Sequence, residues 1–220
     1  MSDFLRRYTD VLSVIDIVRE RRITLLSPRA WPDRNDALGL ELYRKITGSV
    51  AVYACCLTDS VETSHHWQIF SNHSHGVCVV FDKDRLTSAL DRADVMHGPM
   101  QYRSLTYLRE SDNLAISSLP FLKRDTFEAE KEYRAVSTNT LGLLAPISVH
   151  VPIPIECVSK IIIGPTVPRP LGIMLKTVIR EQSSSYKLPV TFSALWNNKS
   201  WNDAMNVAFP HNVKSDLVAF

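Results

Sequence analysis

Val50–Leu57 reads VAVYACCL, and Gly76–Asp82 reads GVCVVFD. Both are nearly continuous apolar runs of strand length, rich in β-branched residues, which is the composition of strands buried on both faces. Working outward, Thr9 or Asp10 can cap a helix starting at Val11, because Val11, Val14, Ile15 and Val18 fall on one face. Arg22–Ser27 reads as a short strand, and SPRAWPDRND after it is loop chemistry. Asp36 is a candidate cap for a helix through Leu38, Leu42 and Ile46 that Gly48 ends. Asp59-Ser60 or Thr63 can start a short helix through Trp67 and Phe70, and another helix is expected over Lys83–Arg92.

The second half alternates in the same manner. His97–Tyr107 is a weak strand candidate, and 113–130 has helical spacing interrupted by Pro120. Glu132–Ser137 has period two, as expected of a half-buried strand. Ile147–Ile155 also alternates, but its prolines suit an edge strand. Val158–Gly164 and Leu188–Ala194 read as strands on either side of an amphipathic helix over Arg169–Gln182. The tail, 196–220, shows no clear periodicity. Repeats and linkers are lacking, so the expectation is one α+β domain over 1–220, with mixed or antiparallel sheets and peripheral helices.

Composition narrows the classes. The chain has 220 residues, 45% hydrophobic and 22% charged, with a formal net charge of +2. Those are globular proportions, and no apolar run reaches the length of a membrane span. A charge near zero argues against a binder that relies on a basic domain, although a local basic groove is compatible with it. Cys55, Cys56, Cys78 and Cys157 show no CxxC spacing and read as free thiols in buried strands. MSDFLRRYTD lacks the apolar core of a signal peptide. Free thiols and this start together point to the cytoplasm.

Glycine-rich phosphate loops and a GxSxG elbow are absent from the sequence. His65, His66, His73 and His75 lack the i, i+4 spacing of zinc-binding helices, so no metal is expected. FEAEKEYR at 127–134 is the better candidate. If it leads into a strand, Glu128, Glu130, Glu132 and Arg134 share a face. Carboxylates set side by side repel one another, so they must be solvated, paired with Arg, or tuned as acids. WPDRND at 31–36 reads as a turn with a helix cap, or as a loop presenting Asn35 and Asp36 to a polar ligand. Trp67 suits core packing or ring stacking.

These blocks together resemble the domain of unknown function 2971 family over 8–195. The resemblance rests on Tyr8, on TLLSP at 24–28 leading to Asn35-Asp36, and on Cys55-Cys56-Leu57 with Trp67. It continues through HGVCVVFD at 75–82, FEAEKEYR at 127–134 and VSKIIIG at 158–164. Ala37-Leu38 and Phe127 depart from the family pattern. More distantly, the order of elements looks like the ADP-ribosyltransferase layout.

That layout implies a catalytic Glu132 or Glu130 and NAD as the substrate. Arg7, Tyr8, Ser27, Asn35, Asp36, Trp67 and Arg134 would then bind the dinucleotide, and no metal would take part. Chemically, a carboxylate facing the ribosyl cation of NAD cleavage stabilises the transition state preferentially. The implied setting is a bacterial toxin or phage-defence effector with a protein or nucleic-acid target, no membrane, and a neighbouring antitoxin or partner protein. Two alternatives stand beside it. One is a non-catalytic ligand-binding or interaction module of a bacterial defence or stress system, and the other is a metal-dependent hydrolase or nuclease.

Overall fold

The computed structural model describes residues 3–31, 33–71, 74–139, 146–183 and 186–209. His73, weighed above as a metal ligand, lies outside them, as does the end of the tail. In chain order the elements are β1 (Phe4–Asp10), α1 (Val11–Glu20), β2 (Arg22–Leu26), α2 (Arg34–Ile46), β3 (Ala51–Thr58) and α3 (Ser64–Phe70). Next come β4 (Gly76–Asp82), α4 (Lys83–Arg92), β5 (Met96–Pro99), β6 (Gln101–Arg103), α5 (Leu105–Glu110) and β7 (Leu122–Arg124). The chain continues through β8 (Glu132–Asn139), β9 (Ser148–Pro152), β10 (Val158–Ile163), α6 (Arg169–Gln182), β11 (Val190–Phe192) and α7 (Lys199–Ala208).

β3 is the hub of a nine-stranded mixed sheet. Along one edge it pairs with β8 through its whole length, from Ala51↔Asn139 to Thr58↔Glu132. The other edge is shared: β1 meets it at Arg6↔Thr58 and β2 at Leu26↔Ala54. β4, β10 and β11 extend the β1 side, β9 closes the β2 side, and β5 flanks β8. All these pairings are antiparallel except that of β10 with β11. β6 and β7 form a separate parallel ribbon.

One face of the sheet carries the main core. Leu5, Tyr53, Leu57, Val79, Phe81 and Ile161 lie there under α1, α4 and α6, through residues such as Val14, Leu90 and Ile179. Each fully buried side chain of this size is worth about 1.5–3 kcal/mol relative to exposure. The opposite face is covered in two separate patches. Trp67 of α3 packs on Tyr8, Cys78, Val80 and Ile162, while Leu40 of α2 packs on Val52, Ala54 and Val136. The gap between the patches falls where β1, β3 and β8 run side by side.

Local chemistry sets several boundaries. Asp10, Thr63 and Asp82 each cap the helix that follows by accepting a main-chain N–H. For α2 the cap is Asp33, which accepts from the N–H groups of Asn35 and Asp36. Asp36 is therefore in the first turn of α2 rather than ahead of it. The expected helix over 113–130 is replaced by 3₁₀ turns and the short β7, since Pro120 removes a donor and the turn ends at a left-handed Lys131 (φ 44°). The tail does contain a helix, α7, capped by Asn198, whose large apolar side chains Trp201 and Met205 remain exposed.

A candidate active site

The gap between the two patches is a cleft of about 330 Å³, at the lower end of the range for ligand sites. Arg6 and Tyr8 of β1, Cys56 and Thr58 of β3, and Glu132 of β8 line it, together with Asp36, His66, Lys123 and Glu130. Strand period explains the set. Thr58 is in register with both Arg6 and Glu132, and Cys56 is in register with Arg134. Residues two apart on a strand share a face. A period-two step back from Tyr8 therefore reaches Arg6.

The cleft floor is a buried ionic network. Arg134 is 0% exposed, Glu132 5%, Glu130 7% and Asp36 9%. Arg134 Nε donates to Glu132 Oε1 at 2.7 Å, and its Nη2 donates to Asp36 Oδ2 at 2.7 Å. Its Nη1 reaches the Pro120 carbonyl at 3.0 Å. Lys123 Nζ lies 2.6 Å from Glu130 Oε2, 2.8 Å from Glu132 Oε2 and 3.6 Å from Asp36 Oδ2. Trp31 and Phe127 cover the two cations, with ring centroids 5.3 Å from Arg134 Cζ and 5.1 Å from Lys123 Nζ. On the α3 side, the Tyr8 ring stacks on His66 at 5.3 Å, and Phe70 continues the wall. Desolvated charges are costly unless paired, so an array of this kind is weak evidence of stability and a marker of function.

The two glutamates are tuned apart. Burial alone raises both. At Glu132, Arg134 and Lys123 overcome burial and hold the carboxyl down at about 2. At Glu130, burial outweighs Lys123, and the carboxyl stays above its ordinary value. Cys56 is exposed and opens into the cleft beside Glu132.

The positions read from sequence divide in two. Glu130, Glu132, Tyr8, Asp36 and Arg134 meet at the cleft. Arg7 projects from the other face of β1, where its guanidinium donates to the Cys55 thiol sulfur. Ser27 lies beside a different cavity with Arg29, Glu41 and Arg44. Asn35 is exposed on the outer side of α2. Trp67 is core: 4% exposed, edge-on to Tyr8 at 4.9 Å, with its Nε1 donating to Glu62. Glu128 does not join its neighbours. It stays exposed because the 3₁₀ turn breaks the period-two phase before β8 begins. Of the cysteines, Cys55 and Cys78 lie in buried strands, Cys157 is buried in a 3₁₀ turn, and Cys56 is exposed.

Sequence reasoning missed Arg6, Lys123, Thr58 and His66 as cleft residues. The strand phase from Tyr8 could have found Arg6. Lys123, in a three-residue strand, carries no such signal. Among the described residues no group of His, Cys, Asp and Glu is arranged to hold a metal ion, and no helix is long and apolar enough to cross a membrane.

No family model matches the chain, so the resemblance to the domain of unknown function 2971 family rests on the quoted motifs. No curated protein matches it either. Among solved structures, the chain is similar to Thermus sp. 2.9 DarT in complex with ADP-ribosylated ssDNA, with 11% identity, a TM-score of 0.43, and coverage of 87% of this chain and 94% of that one. It is also similar to Thermus sp. 2.9 DarT in complex with carba-NAD+, with 11% identity, a TM-score of 0.40, and coverage of 86% and 94%.

Proposed function

We propose that the cleft binds NAD and cleaves its nicotinamide–ribose bond in an ADP-ribosyltransferase-like reaction. The observation that carries the reading is the convergence of Glu130 and Glu132 on Lys123, with Arg134 behind Glu132, at the floor of one aromatic-walled cleft. Glu132, held anionic, faces the ribosyl cation that develops as the C1′–N bond breaks and its electron pair leaves with nicotinamide. Glu130, the more basic carboxylate, accepts the proton of the attacking hydroxyl, amine or water. Tyr8 supplies a ring face for the departing heterocycle, and Arg6 supplies a cation for the phosphates. Asp36 and Arg134 hold Glu132 in place from behind. The acceptor is a protein or nucleic acid in a cytoplasmic setting, as for a toxin or phage-defence effector with a neighbouring antitoxin.

Incubation with NAD labelled in the nicotinamide and in the adenylate tests this reading, with and without cell lysate. Nicotinamide release by the native chain supports it, together with a loss of about 100-fold or more in Glu132→Gln and Glu130→Gln. A folded native chain that neither releases nicotinamide nor transfers label contradicts it.

One observation favours a second reading. Both oxygens of Glu132 are already engaged, by Arg134 and Lys123, as suits a non-catalytic ligand-binding module with a rigid floor. That module would bind a nucleotide and return it unchanged. A metal-dependent hydrolase has less support, because Lys123 already occupies the place between the carboxylates that a divalent ion would take.

A further inference from the structure

The delivery of Glu130 to the cleft depends on an unusual piece of main chain. Residues Asp125–Glu130 form a 3₁₀ turn, and Lys131 then takes the left-handed conformation (φ 44°) before β8 starts at Glu132. That conformation is strained for a non-glycine residue, so surrounding contacts must over-determine it. They come from β3 and α3. Thr58 Oγ1 donates to the Glu130 carbonyl at 2.7 Å, and the Asp59 N–H donates to the Lys131 carbonyl at 2.9 Å. His66 Nε2 lies 3.0 Å from the same Glu130 carbonyl.

A carbonyl only accepts, so His66 must carry a hydrogen on Nε2. Its Nδ1 sits 2.6 Å from Thr63 Oγ1, which also accepts the His66 main-chain N–H at 3.3 Å. The Thr63 hydroxyl hydrogen is thereby free to point at a bare Nδ1. Both ring nitrogens are satisfied by one neutral tautomer. The ring is 1% exposed and is fixed in plane by its stack on Tyr8.

Resting on the NAD-cleaving reading of the cleft, we infer that His66 is a positioning residue: as the neutral Nε2–H imidazole it clamps, together with Thr58, the main-chain carbonyl of Glu130 and thereby sets the Glu130 carboxylate in the cleft. Neither the sequence motifs nor the ionic network assigns this role. His66 touches the turn and the Tyr8 ring rather than the reacting bond, and the Glu130 carboxylate reads the first of these contacts alone.

The test reads Glu130 directly. In the native chain, imidazole ¹⁵N NMR should show His66 neutral at pH 7 with its hydrogen on Nε2; a hydrogen on Nδ1 overturns the inference. The Glu130 carboxyl is then titrated by ¹³C NMR in the native chain, His66→Leu and His66→Gln. Loss of the clamp in His66→Leu should let the turn open and bring the midpoint down toward that of an ordinary glutamate. His66→Gln keeps a side-chain N–H donor and should hold the midpoint. An unchanged midpoint in folded His66→Leu, or an equal fall in His66→Gln, overturns the inference. If His66→Leu does not fold, Thr58→Val removes the other donor and should move the midpoint part of the way; no movement again overturns it.

With NAD as substrate, His66→Leu should lower kcat by about 100-fold, the size expected of a displaced reacting group. His66→Gln should retain most of the activity. A native chain without turnover counts against the NAD reading alone, because the titration still decides whether His66 places Glu130.

Discussion

Arg134 and Asp36, 98 positions apart in sequence, are joined by a 2.7 Å hydrogen bond in which neither partner is appreciably exposed. The bond ties the first turn of α2 to the start of β8 across the cleft floor. Its counterpart is the Arg134–Glu132 contact on the strand itself. A guanidinium forks to two carboxylates more readily than an ammonium does. Removing it leaves Lys123 alone to answer Asp36, Glu130 and Glu132.

Arg134→Leu should therefore destabilise the chain by about 3–5 kcal/mol, the usual consequence of leaving buried charge uncompensated. Glu132→Gln should cost less, because Arg134 keeps Asp36 and Lys123 keeps Glu130. Urea denaturation of both variants gives the ranking. An Arg134→Leu midpoint equal to that of the native chain would mean that the network is not formed.

Acid sensitivity follows from Glu132. Its folded carboxyl titrates at about 2 against an ordinary value of 4.5. The folded state thus binds fewer protons than the unfolded state in that window. The stability it confers is present above 4.5 and is lost as pH falls from 4.5 toward 2. Glu130 has the opposite sign: its raised folded value costs stability as pH rises through the ordinary carboxylate range. The stability of Glu132→Gln measured from pH 2 to 6 should be flatter than that of the native chain, and the profile of Glu130→Gln should rise more steeply with pH.

The sequence carried the strands of the sheet well. VAVYACCL, GVCVVFD and VSKIII are short, β-branched and bounded by turn residues, as strands are, and they form β3, β4 and β10. The carboxylates of 127–134 were visible through their alternation with apolar neighbours. The cations that answer them were not equally visible. Arg134 sits in the same motif, but Lys123 enters from a short ribbon set by 3₁₀ turns, where no periodicity operates. Arg6 and Arg7 are adjacent, and it is Arg6, in phase with Tyr8 and in register with Thr58, that faces the cleft. Asp36 reads from sequence as a cap or as a residue presented to a polar ligand; Asp33 takes the cap and leaves Asp36 on the inner side of the helix. Long-range register determines which charges meet, and local propensity does not encode it.

Close packing behind the Tyr8 wall gives a further prediction. A Cβ at Gly164 would lie 2.8 Å from the Gly76 carbonyl oxygen and 3.0 Å from Trp67 Cζ3. Gly164→Ala should destabilise by about 1–3 kcal/mol through overpacking. Because Trp67 supports Tyr8 edge-on, the variant should also weaken nucleotide binding. Thermal unfolding with a parallel binding titration separates the two effects.

Cys56 offers a chemical probe of the cleft. It is exposed while Cys55, Cys78 and Cys157 are buried, so an alkylating reagent should reach it first. The Glu132 carboxylate beside it disfavours the thiolate, so labelling should be slow at pH 7 and faster as pH rises, since the thiolate is the reacting form. NAD should protect it. Mass spectrometry of iodoacetamide-treated chain checks all three points, and rapid labelling at neutral pH would contradict the environment described for this thiol.

The most direct measurement is a structure of the full chain with a hydrolysis-resistant NAD analogue. The ribose next to the nicotinamide should lie against Glu132 and Glu130, with Tyr8 against the heterocycle and Arg6 near the phosphates. An analogue bound at another surface, or a cleft that binds none at concentrations that saturate NAD-cleaving enzymes, would contradict the assignment.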